Sequence, residues 1–185
     1  EEVDEKGRLI FGDKLMIIFS SEILSRKPGA TIISEVKCSK TMYDDIEKHG
    51  GRAVMWKTGH SLIKSKMKET GFPLAGEMSG HVFFADDYYG FDDALYAGVR
   101  LLAASARLGK SVTELRGAMP DMINTPEMRF QVDESRKFAA IDEVRDRVMA
   151  GDAEVNDTDG VRVTTDDDYN APSEGRRRQL ALTQS

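Results

Sequence analysis

Residues 31–56, TIISEVKCSKTMYDDIEKHGGRAVMW, decide the fold of this chain. The first six residues of the segment are rich in β-branched side chains and predict a strand, and residues 52–56 predict a second short strand. Between these strands, Ser39 can cap a helix whose apolar residues follow at helical spacing and which ends at Gly50-Gly51. Strands that alternate with helices favour a parallel sheet.

The same alternation continues on both sides of this segment. Helices are predicted at residues 13–27, 60–71 and 92–108, and short strands at residues 74–76 and 82–85. Helices on both sides of such a sheet would cover both of its faces. We therefore predict an α/β fold: a three-layer αβα domain with a mostly parallel mixed sheet, over residues 9–118.

The two ends of the chain depart from this pattern. Residues 1–8 predict a turn that ends at Gly7, and we expect them to be the tail of a preceding domain. Residues 119–185 predict one helix at 135–150 and one hairpin at 153–165, with no apolar pattern after Asp166. We expect a partial, incomplete C-terminal α+β domain with a disordered tail. The whole chain is therefore expected to be a fragment.

Composition excludes several classes of protein. The chain has 185 residues, 40% hydrophobic and 31% charged, with a net charge of −6, which is typical of a globular protein without a nucleic-acid footprint. Cys38 is the single cysteine, so an intrachain disulfide and a cysteine-based zinc site are excluded. No apolar stretch approaches membrane-spanning length. We expect a cytoplasmic protein with no nucleic-acid and no membrane partner.

Two glycine-containing polar loops predict a ligand site. Gly76-Glu77-Met78-Ser79-Gly80-His81 brings a carboxylate, a hydroxyl and an imidazole together, and Lys57-Thr58-Gly59-His60-Ser61 has the same character. Adjacent polar side chains make a poor core segment, because each would need a buried partner. They make a good recognition loop, because glycines let the backbone approach a ligand closely.

The polar residues also follow predicted strands. Lys37, Thr58 and Glu77 each come shortly after a strand that we predict to be parallel, and ligands bind at the carboxyl ends of such strands. Gly59-His60 opens a helix, whose N-terminus favours an anion such as phosphate. Taken singly, the lysine and the histidines have a structural alternative as exposed surface residues. No metal site is predicted, since Asp86-Asp87 and Asp92-Asp93 are interpreted as solvated turns and a helix N-terminus.

The two loops, followed by Val82-Phe83-Phe84, resemble the third domain of the α-D-phosphohexomutases, in particular the bacterial phosphomannomutase/phosphoglucomutase branch. The resemblance extends from the first residues to Asp159-Gly160-Val161-Arg162-Val163, where part of the fourth domain would lie. It implies an isomerase that interconverts hexose 1-phosphate and hexose 6-phosphate through a phosphoserine. It also implies Mg²⁺ as cofactor and hexose 1,6-bisphosphate as intermediate and activator.

By this resemblance, hexose phosphates of glucose or mannose are the expected ligands, and each candidate residue receives a role. The acid–base or electrostatic candidates for catalysis are Lys37, His60 and His81. The candidates for substrate binding are Thr58, Gly59, Gly76, Glu77, Ser79 and Gly80.

The chain departs from the family pattern in three places. It contains no Ser-His-Asn-Pro-type phosphoserine loop, no Asp-Gly-Asp-Gly-Asp-Arg magnesium loop and no Arg-x-Ser-Asn-Thr phosphate clamp. The fragment is therefore predicted to be inactive alone and to need the missing domains of the same enzyme as partners. One alternative is a non-catalytic sugar-phosphate binding module. Another is a flavodoxin-like or response-regulator domain, which would leave the Gly76–His81 loop unexplained.

Overall fold

The computed structural model describes residues 2–120, 128–151, 153–166 and 177–182. The chain divides into two compact units, Glu1–Asp121 and Met122–Ser185. The predicted boundaries at residues 8/9 and 118/119 stay predictions. In the described part of the chain, no helix is both long enough and apolar enough to cross a membrane.

The first unit alternates strands and helices along the chain. Its described elements are β1 (Glu2–Val3), β2 (Leu9–Ile10), α1 (Gly12–Arg26), β3 (Thr31–Glu35), α2 (Lys40–Lys48), β4 (Arg52–Trp56), α3 (His60–Thr70), β5 (Leu74–Gly76), β6 (Val82–Phe84), α4 (Ala94–Leu108) and α5 (Val112–Gly117). β1 and β2 pair as an antiparallel hairpin around the turn that ends at Gly7. This turn agrees with the one predicted from the sequence.

The central sheet has the strand order β4-β3-β5-β6. β3 pairs in parallel with both β4 and β5, with Ile33 opposite Val54 on one side and opposite Ala75 on the other. β6 runs antiparallel to β5, so that Phe83 lies opposite Ala75. The prediction of a mostly parallel mixed sheet is confirmed.

Successive residues of each strand face opposite sides of the sheet, and each side carries its own core. On one side, Ile32, Leu74 and Phe84 are buried in one apolar cluster with side chains of α1, α2 and α4. On the other side, Ile33 and Phe83 form a second cluster with Ile63 of α3. Burial of one such side chain stabilises the fold by about 1.5–3 kcal/mol. The two clusters define three layers, as predicted.

The second unit is a helix and an antiparallel sheet. A short 3-10 turn, Glu134–Arg136, leads into α6 (Lys137–Met149). The strands β7 (Glu154–Asn156), β8 (Val161–Asp166) and β9 (Arg177–Leu182) pair in that order.

The β7–β8 hairpin confirms the predicted hairpin. The expected disordered tail is wrong for residues 177–182, because β9 pairs with β8 along its length. The sequence of β9, RRQLAL, shows no alternation of apolar and polar residues, so it gives little signal for a strand that pairs with a neighbouring strand. The remaining residues of the expected tail, 167–176 and 183–185, lie outside the described residues.

Candidate functional site

The carboxyl ends of β3, β4 and β5 meet at one edge of the sheet, because these strands are parallel. Lys37 follows β3, Thr58 and Gly59 follow β4, and Glu77 follows β5. The structure therefore brings together the segments that the sequence analysis singled out. The side chains at this edge are held by a small number of specific hydrogen bonds.

The loop at residues 76–81 is a tight turn closed by its own backbone. The amide N–H of Glu77 donates to the carbonyl of His81 over 2.9 Å, and that of Gly80 donates to the carbonyl of Glu77 over 3.0 Å. Gly80 has φ +95°, a backbone conformation that residues other than glycine rarely adopt. The glycine that was predicted to bind substrate thus also fixes the shape of the loop.

Gly12, the first residue of α1, packs directly against this turn. A Cβ atom on Gly12 would lie 2.4 Å from the carbonyl oxygen of Glu77 and 2.7 Å from that of Met78. Neither contact is sterically possible without movement of the backbone. The sequence analysis missed Gly12, because its requirement for glycine arises only from a contact between segments 65 residues apart.

Glu77 joins the two polar loops. Its carboxylate accepts hydrogen bonds from the amide of Gly59 over 2.9 Å and from the hydroxyl of Ser79 over 3.2 Å. The residue is only 4% exposed, and two acceptor positions of the carboxylate remain after these bonds. Glu77 is therefore a preorganised acceptor at the centre of the edge.

Glu35, at the end of β3, forms hydrogen bonds with the segments at the same edge of the sheet. Its fully buried carboxylate accepts from the amides of Lys37 over 2.6 Å and Met78 over 2.9 Å, and from the hydroxyl of Thr58 over 3.2 Å. A single carboxylate thus connects all three segments of the site. The sequence analysis missed Glu35, although an acidic residue at the end of a buried strand was a signal that could have marked it.

Cys38 lies beside Glu35 and is fully buried. Burial raises the pKa of its thiol well above the usual value, and the Glu35 carboxylate raises it further. The thiol accepts a hydrogen bond from the hydroxyl of Ser34 over 2.8 Å. Cys38 is therefore a protonated packing residue rather than a nucleophile.

His60 and His81 form a pair at the solvent-facing side of Glu77. Their ring centroids are 4.0 Å apart with an interplanar angle of 80°. The Oδ2 atom of Asp92 lies 3.2 Å from Nε2 of His60 and 2.8 Å from Nδ1 of His81. Both imidazoles remain about 40% exposed, so they can meet a ligand from solvent.

The four aspartates after β6 have different environments. Asp93 caps α4 by accepting from the amide of Tyr96, as the predicted helix N-terminus requires. Asp92 contacts the histidine pair, a role that the sequence analysis did not foresee. Asp86 is 1% exposed, so its interpretation as part of a solvated turn is wrong: Arg26 of α1, Lys27 just after α1 and Arg100 of α4 surround it.

Among the residues that the structure describes, His60, Glu77 and His81 form a group that could hold a metal ion, with ligand atoms all within 4.8 Å of one another. The same group, with Ser79 and the N-terminus of α3, offers acceptors, a hydroxyl donor, two proton-accepting imidazoles and a favourable place for an anion. Such a set is suited to a polyhydroxylated, negatively charged ligand.

Known proteins share this domain. Residues 11–122 match the family model described as phosphoglucomutase/phosphomannomutase, alpha/beta/alpha domain III. The chain is 47% identical to the phosphomannomutase/phosphoglucomutase of Pseudomonas putida over 161 residues, which are 87% of this chain and 35% of that protein. It is 41% identical to the phosphoglucomutase of Neisseria meningitidis serogroup A over 169 residues, which are 90% of this chain and 36% of that protein.

A solved structure agrees with these sequence relatives. The X-ray structure of a phosphoglucomutase/phosphomannomutase family protein from Burkholderia thailandensis has a TM-score of 0.78 and 46% identity, covering 87% of this chain and 34% of that chain. The chain thus spans about a third of the length of the relatives that it matches. The match over the whole α/β/α domain and the identity over most of the chain show that it belongs to the phosphoglucomutase/phosphomannomutase family.

Proposed function

We propose that this chain supplies sugar recognition to a phosphomannomutase/phosphoglucomutase, an isomerase that interconverts hexose 1-phosphate and hexose 6-phosphate by phosphoryl transfer through a phosphoserine. The observation that carries the proposal is the position of Glu77, whose buried carboxylate connects the loops at residues 57–61 and 76–81. One acceptor reached by both loops is what a ligand with several hydroxyl groups requires.

In this proposal, Glu77 and Ser79 form hydrogen bonds with sugar hydroxyls. The carboxylate accepts from two vicinal hydroxyls, and the Ser79 hydroxyl both donates and accepts. Because these contacts reach hydroxyls shared by several hexoses, they allow the glucose and the mannose epimer. Gly80 lets the backbone of the turn come close to the ring. Gly76, where a Cβ atom would collide with the Met16 side chain, contributes to the site through its backbone.

The phosphate contacts in the proposal come from the neighbouring side chains. Lys37 and the first turn of α3, which begins after Gly59, supply positive potential for a phosphate. His60 and His81 act as proton acceptors and donors, or as electrostatic stabilisers, beside the phosphoryl group. Thr58, held by Glu35, faces the same ligand.

Mg²⁺, which the family resemblance implies, does not fit the residues described. Mg²⁺ prefers six oxygen ligands in octahedral geometry, whereas the closely spaced group at this edge contains two imidazoles. The buried carboxylate of Asp86 is bound by basic side chains instead. We therefore route no step through Mg²⁺ and expect its ligands, like the phosphoserine, to come from other domains of the enzyme.

We further propose that the chain is inactive alone and cytoplasmic. Phosphoryl transfer depends on positioning and charge neutralisation, and the sequence lacks the phosphoserine, magnesium and phosphate-clamp motifs. A mutase assay of the 185-residue chain with hexose 1-phosphate, Mg²⁺ and hexose 1,6-bisphosphate should give no turnover. Turnover at the rate of the Pseudomonas putida enzyme would contradict this part of the proposal.

Recognition itself is tested by NMR titration of the chain with glucose 6-phosphate and mannose 6-phosphate. We expect saturable shifts of the Gly59, Glu77 and Ser79 amides and of the His60 and His81 imidazoles, with resonances of the second unit unchanged. Absence of shifts at millimolar ligand would contradict autonomous recognition. Chemical-shift changes without turnover would also agree with the alternative function, a sugar-phosphate binding module. That alternative is favoured because all candidate residues lie in the first unit.

Addition of the remaining domains of the Pseudomonas putida enzyme separates these two functions. A mutase segment should restore turnover when it is combined with the phosphoserine and magnesium-binding domains. A free-standing binding module should bind sugar phosphate and give no turnover in the same mixture.

A further inference from the structure

We propose that His60, His81 and Glu77 form a binding site for a divalent transition-metal ion of the Zn²⁺ type, and that metal and hexose phosphate exclude one another there. The metal site stands on the geometry alone. The mutual exclusion rests on the function proposed above, because it assumes that the same three side chains contact the sugar phosphate.

The spacing of the ligand atoms is close to what a metal ion requires. One nitrogen from each imidazole and one oxygen of Glu77 lie within 4.8 Å of one another. Around a tetrahedral Zn²⁺ with bonds of about 2.0–2.1 Å, ligand atoms are roughly 3.3 Å apart. The two histidines are about 40% exposed, so small side-chain rotations can close this difference while the His60 ring keeps its edge-on contact with Phe83.

The chemical nature of the ligands favours a transition-metal ion. Two imidazole nitrogens and one carboxylate oxygen are a set that Zn²⁺ accepts, with a fourth position left for water or another ligand. Imidazole ligands favour zinc, copper, nickel and cobalt over magnesium and calcium. The site is therefore distinct in chemistry from a magnesium site.

Neighbouring residues hold the ligands in place through hydrogen bonds. Nδ1 of His81 is 2.8 Å from the Asp92 carboxylate. A neutral imidazole that donates from Nδ1 keeps its lone pair on Nε2 for a metal, and a carboxylate partner of this kind orients metal-binding histidines. Glu77 is held in the same way by the Gly59 amide and the Ser79 hydroxyl, and keeps acceptor capacity for a metal.

The other histidine and the cysteine of the chain do not offer a competing site. His49 is the third and last histidine, and it lies at the end of α2 within 3.1 Å of Asp45. Cys38 is fully buried and its raised pKa keeps the thiol protonated. His49 therefore provides a matched control for the two histidines of the site.

The test is isothermal titration calorimetry of the chelator-treated 185-residue chain with Zn²⁺, and with Mg²⁺ as the comparison ion. We expect one Zn²⁺ per chain and no heat from Mg²⁺. His60→Gln and His81→Gln should each weaken Zn²⁺ binding by at least about tenfold, as should Asp92→Asn. His49→Gln should leave the affinity unchanged.

Two observations would overturn the site. One is Zn²⁺ affinity that His60→Gln and His81→Gln leave unchanged. The other is an equal loss from His49→Gln, which would indicate non-specific binding by histidines. Circular dichroism of each variant establishes that it is folded, and Co²⁺ absorption in the visible region reports independently on nitrogen and oxygen coordination.

A second titration tests the exclusion. Saturating Zn²⁺ should lower the affinity for mannose 6-phosphate at least tenfold, and Mg²⁺ at the same concentration should not. Zn²⁺ binding with unchanged sugar-phosphate affinity overturns the exclusion. If the metal-free chain fails to bind sugar phosphate at all, the proposed function fails, while the Zn²⁺ stoichiometry and the histidine variants still decide the metal site.

Discussion

Two polar clusters lie at opposite edges of the same sheet, and they differ in how much of their hydrogen-bonding capacity is already used. The site cluster, His60, Glu77 and His81, lies at the carboxyl ends of the parallel strands. The second cluster lies beyond the other end of β5, where the amides of Ala85 and Asp86 donate to the carbonyl of Pro73. We call this second cluster the ion-pair network; its members are Glu22, Arg26, Lys27, Asp86, Arg100 and Arg107.

In the ion-pair network, each carboxylate is bound by several basic side chains. Arg100, itself 8% exposed, donates to Glu22 over 3.1 Å and to Asp86 over 3.0 Å. Arg100 also donates to the carbonyl of Asp86 over 2.7 Å, and Arg26 donates to Glu22 over 2.6 Å. Both carboxylates of the network, Glu22 and Asp86, are thus shared between basic side chains of α1, α4 and Lys27, the residue that follows α1. Such a cluster holds the helices to the sheet and offers little to a ligand.

The site cluster is open. Glu77 keeps unused acceptor positions, and the two imidazoles that flank it remain partly in solvent. The comparison teaches that buried charge alone does not identify a functional site in this domain. The site is distinguished by a buried carboxylate that keeps unused acceptor positions and by neighbouring imidazoles that are partly exposed to solvent. Substitutions in the network should therefore change stability, and those in the site should change binding.

The largest effect is expected from Arg100→Met. This change leaves Glu22 and Asp86 buried with fewer cationic partners, which costs about 3–5 kcal/mol of unfolding free energy. Urea denaturation measures the loss, and Arg52→Met, at an exposed position of β4, is the control and should change stability by less than about 0.5 kcal/mol. A loss below about 1 kcal/mol for Arg100→Met would show that the network contributes little.

The second-largest expected effect is a dependence of the unfolding free energy on pH. Burial raises the pKa of Asp86, but hydrogen bonds from Lys27, Arg26 and Arg100 outweigh burial and hold the pKa at about 2. Burial likewise raises the pKa of Glu22, and its arginine partners lower it to below the ordinary value.

Because both carboxyl groups have lower pKa values when folded, their stabilisation is present above the unfolded pKa near 4. It is lost as the pH falls from about 4 towards 2. For Asp86 the loss is on the order of 2 kcal/mol. Urea denaturation between pH 7 and 2.5 measures it. The fall of the unfolding free energy with decreasing pH should be less steep in Arg100→Met. An equally steep fall would contradict the assignment of the acid dependence to this network.

An effect of similar or smaller size, about 1–3 kcal/mol, is expected from Gly12→Ala, because the new methyl group would collide with the turn at residues 76–81. The amide resonances of Glu77 and Gly80 should shift, and sugar-phosphate affinity should fall. Gly98→Ala in α4 is the matched control: apart from the backbone of its own helix turn, nothing lies within 4 Å of the new methyl group, so it should be neutral or stabilising by up to about 1 kcal/mol. Similar behaviour of the two variants would mean that the turn tolerates displacement.

The sequence predicted the parts of the molecule that are encoded locally. Apolar spacing and glycine stops define the helices and strands, and the alternation of the two defines the parallel sheet. The site edge was predictable because polar residues that follow neighbouring parallel strands must converge. Lys37, Thr58 and Glu77 illustrate this rule.

The remaining features depend on contacts between distant segments. Glu22 and Arg100 are 78 residues apart, and neither residue has a local pattern that marks its partner. The contacts of Gly12 and Asp92 with the site depend on the packing of α1 and of the segment before α4. β9 is ordered through pairing with β8 rather than through its own apolar pattern. In each case the tertiary contact, and not the local sequence, determines the role of the residue.

The most direct test of the site cluster is the affinity of the Glu77→Gln variant for mannose 6-phosphate, measured by calorimetry. The control is Glu69→Gln, the same change at an exposed position of α3, where Glu69 pairs with Lys66. Glutamine keeps the shape of Glu77 but loses the charge and gains a donor. We expect at least a tenfold loss of affinity, about 1.4 kcal/mol, with Glu69→Gln unchanged and both variants folded. An affinity for Glu77→Gln equal to that of the unmodified chain would contradict the assignment of Glu77 as the shared acceptor of the two loops.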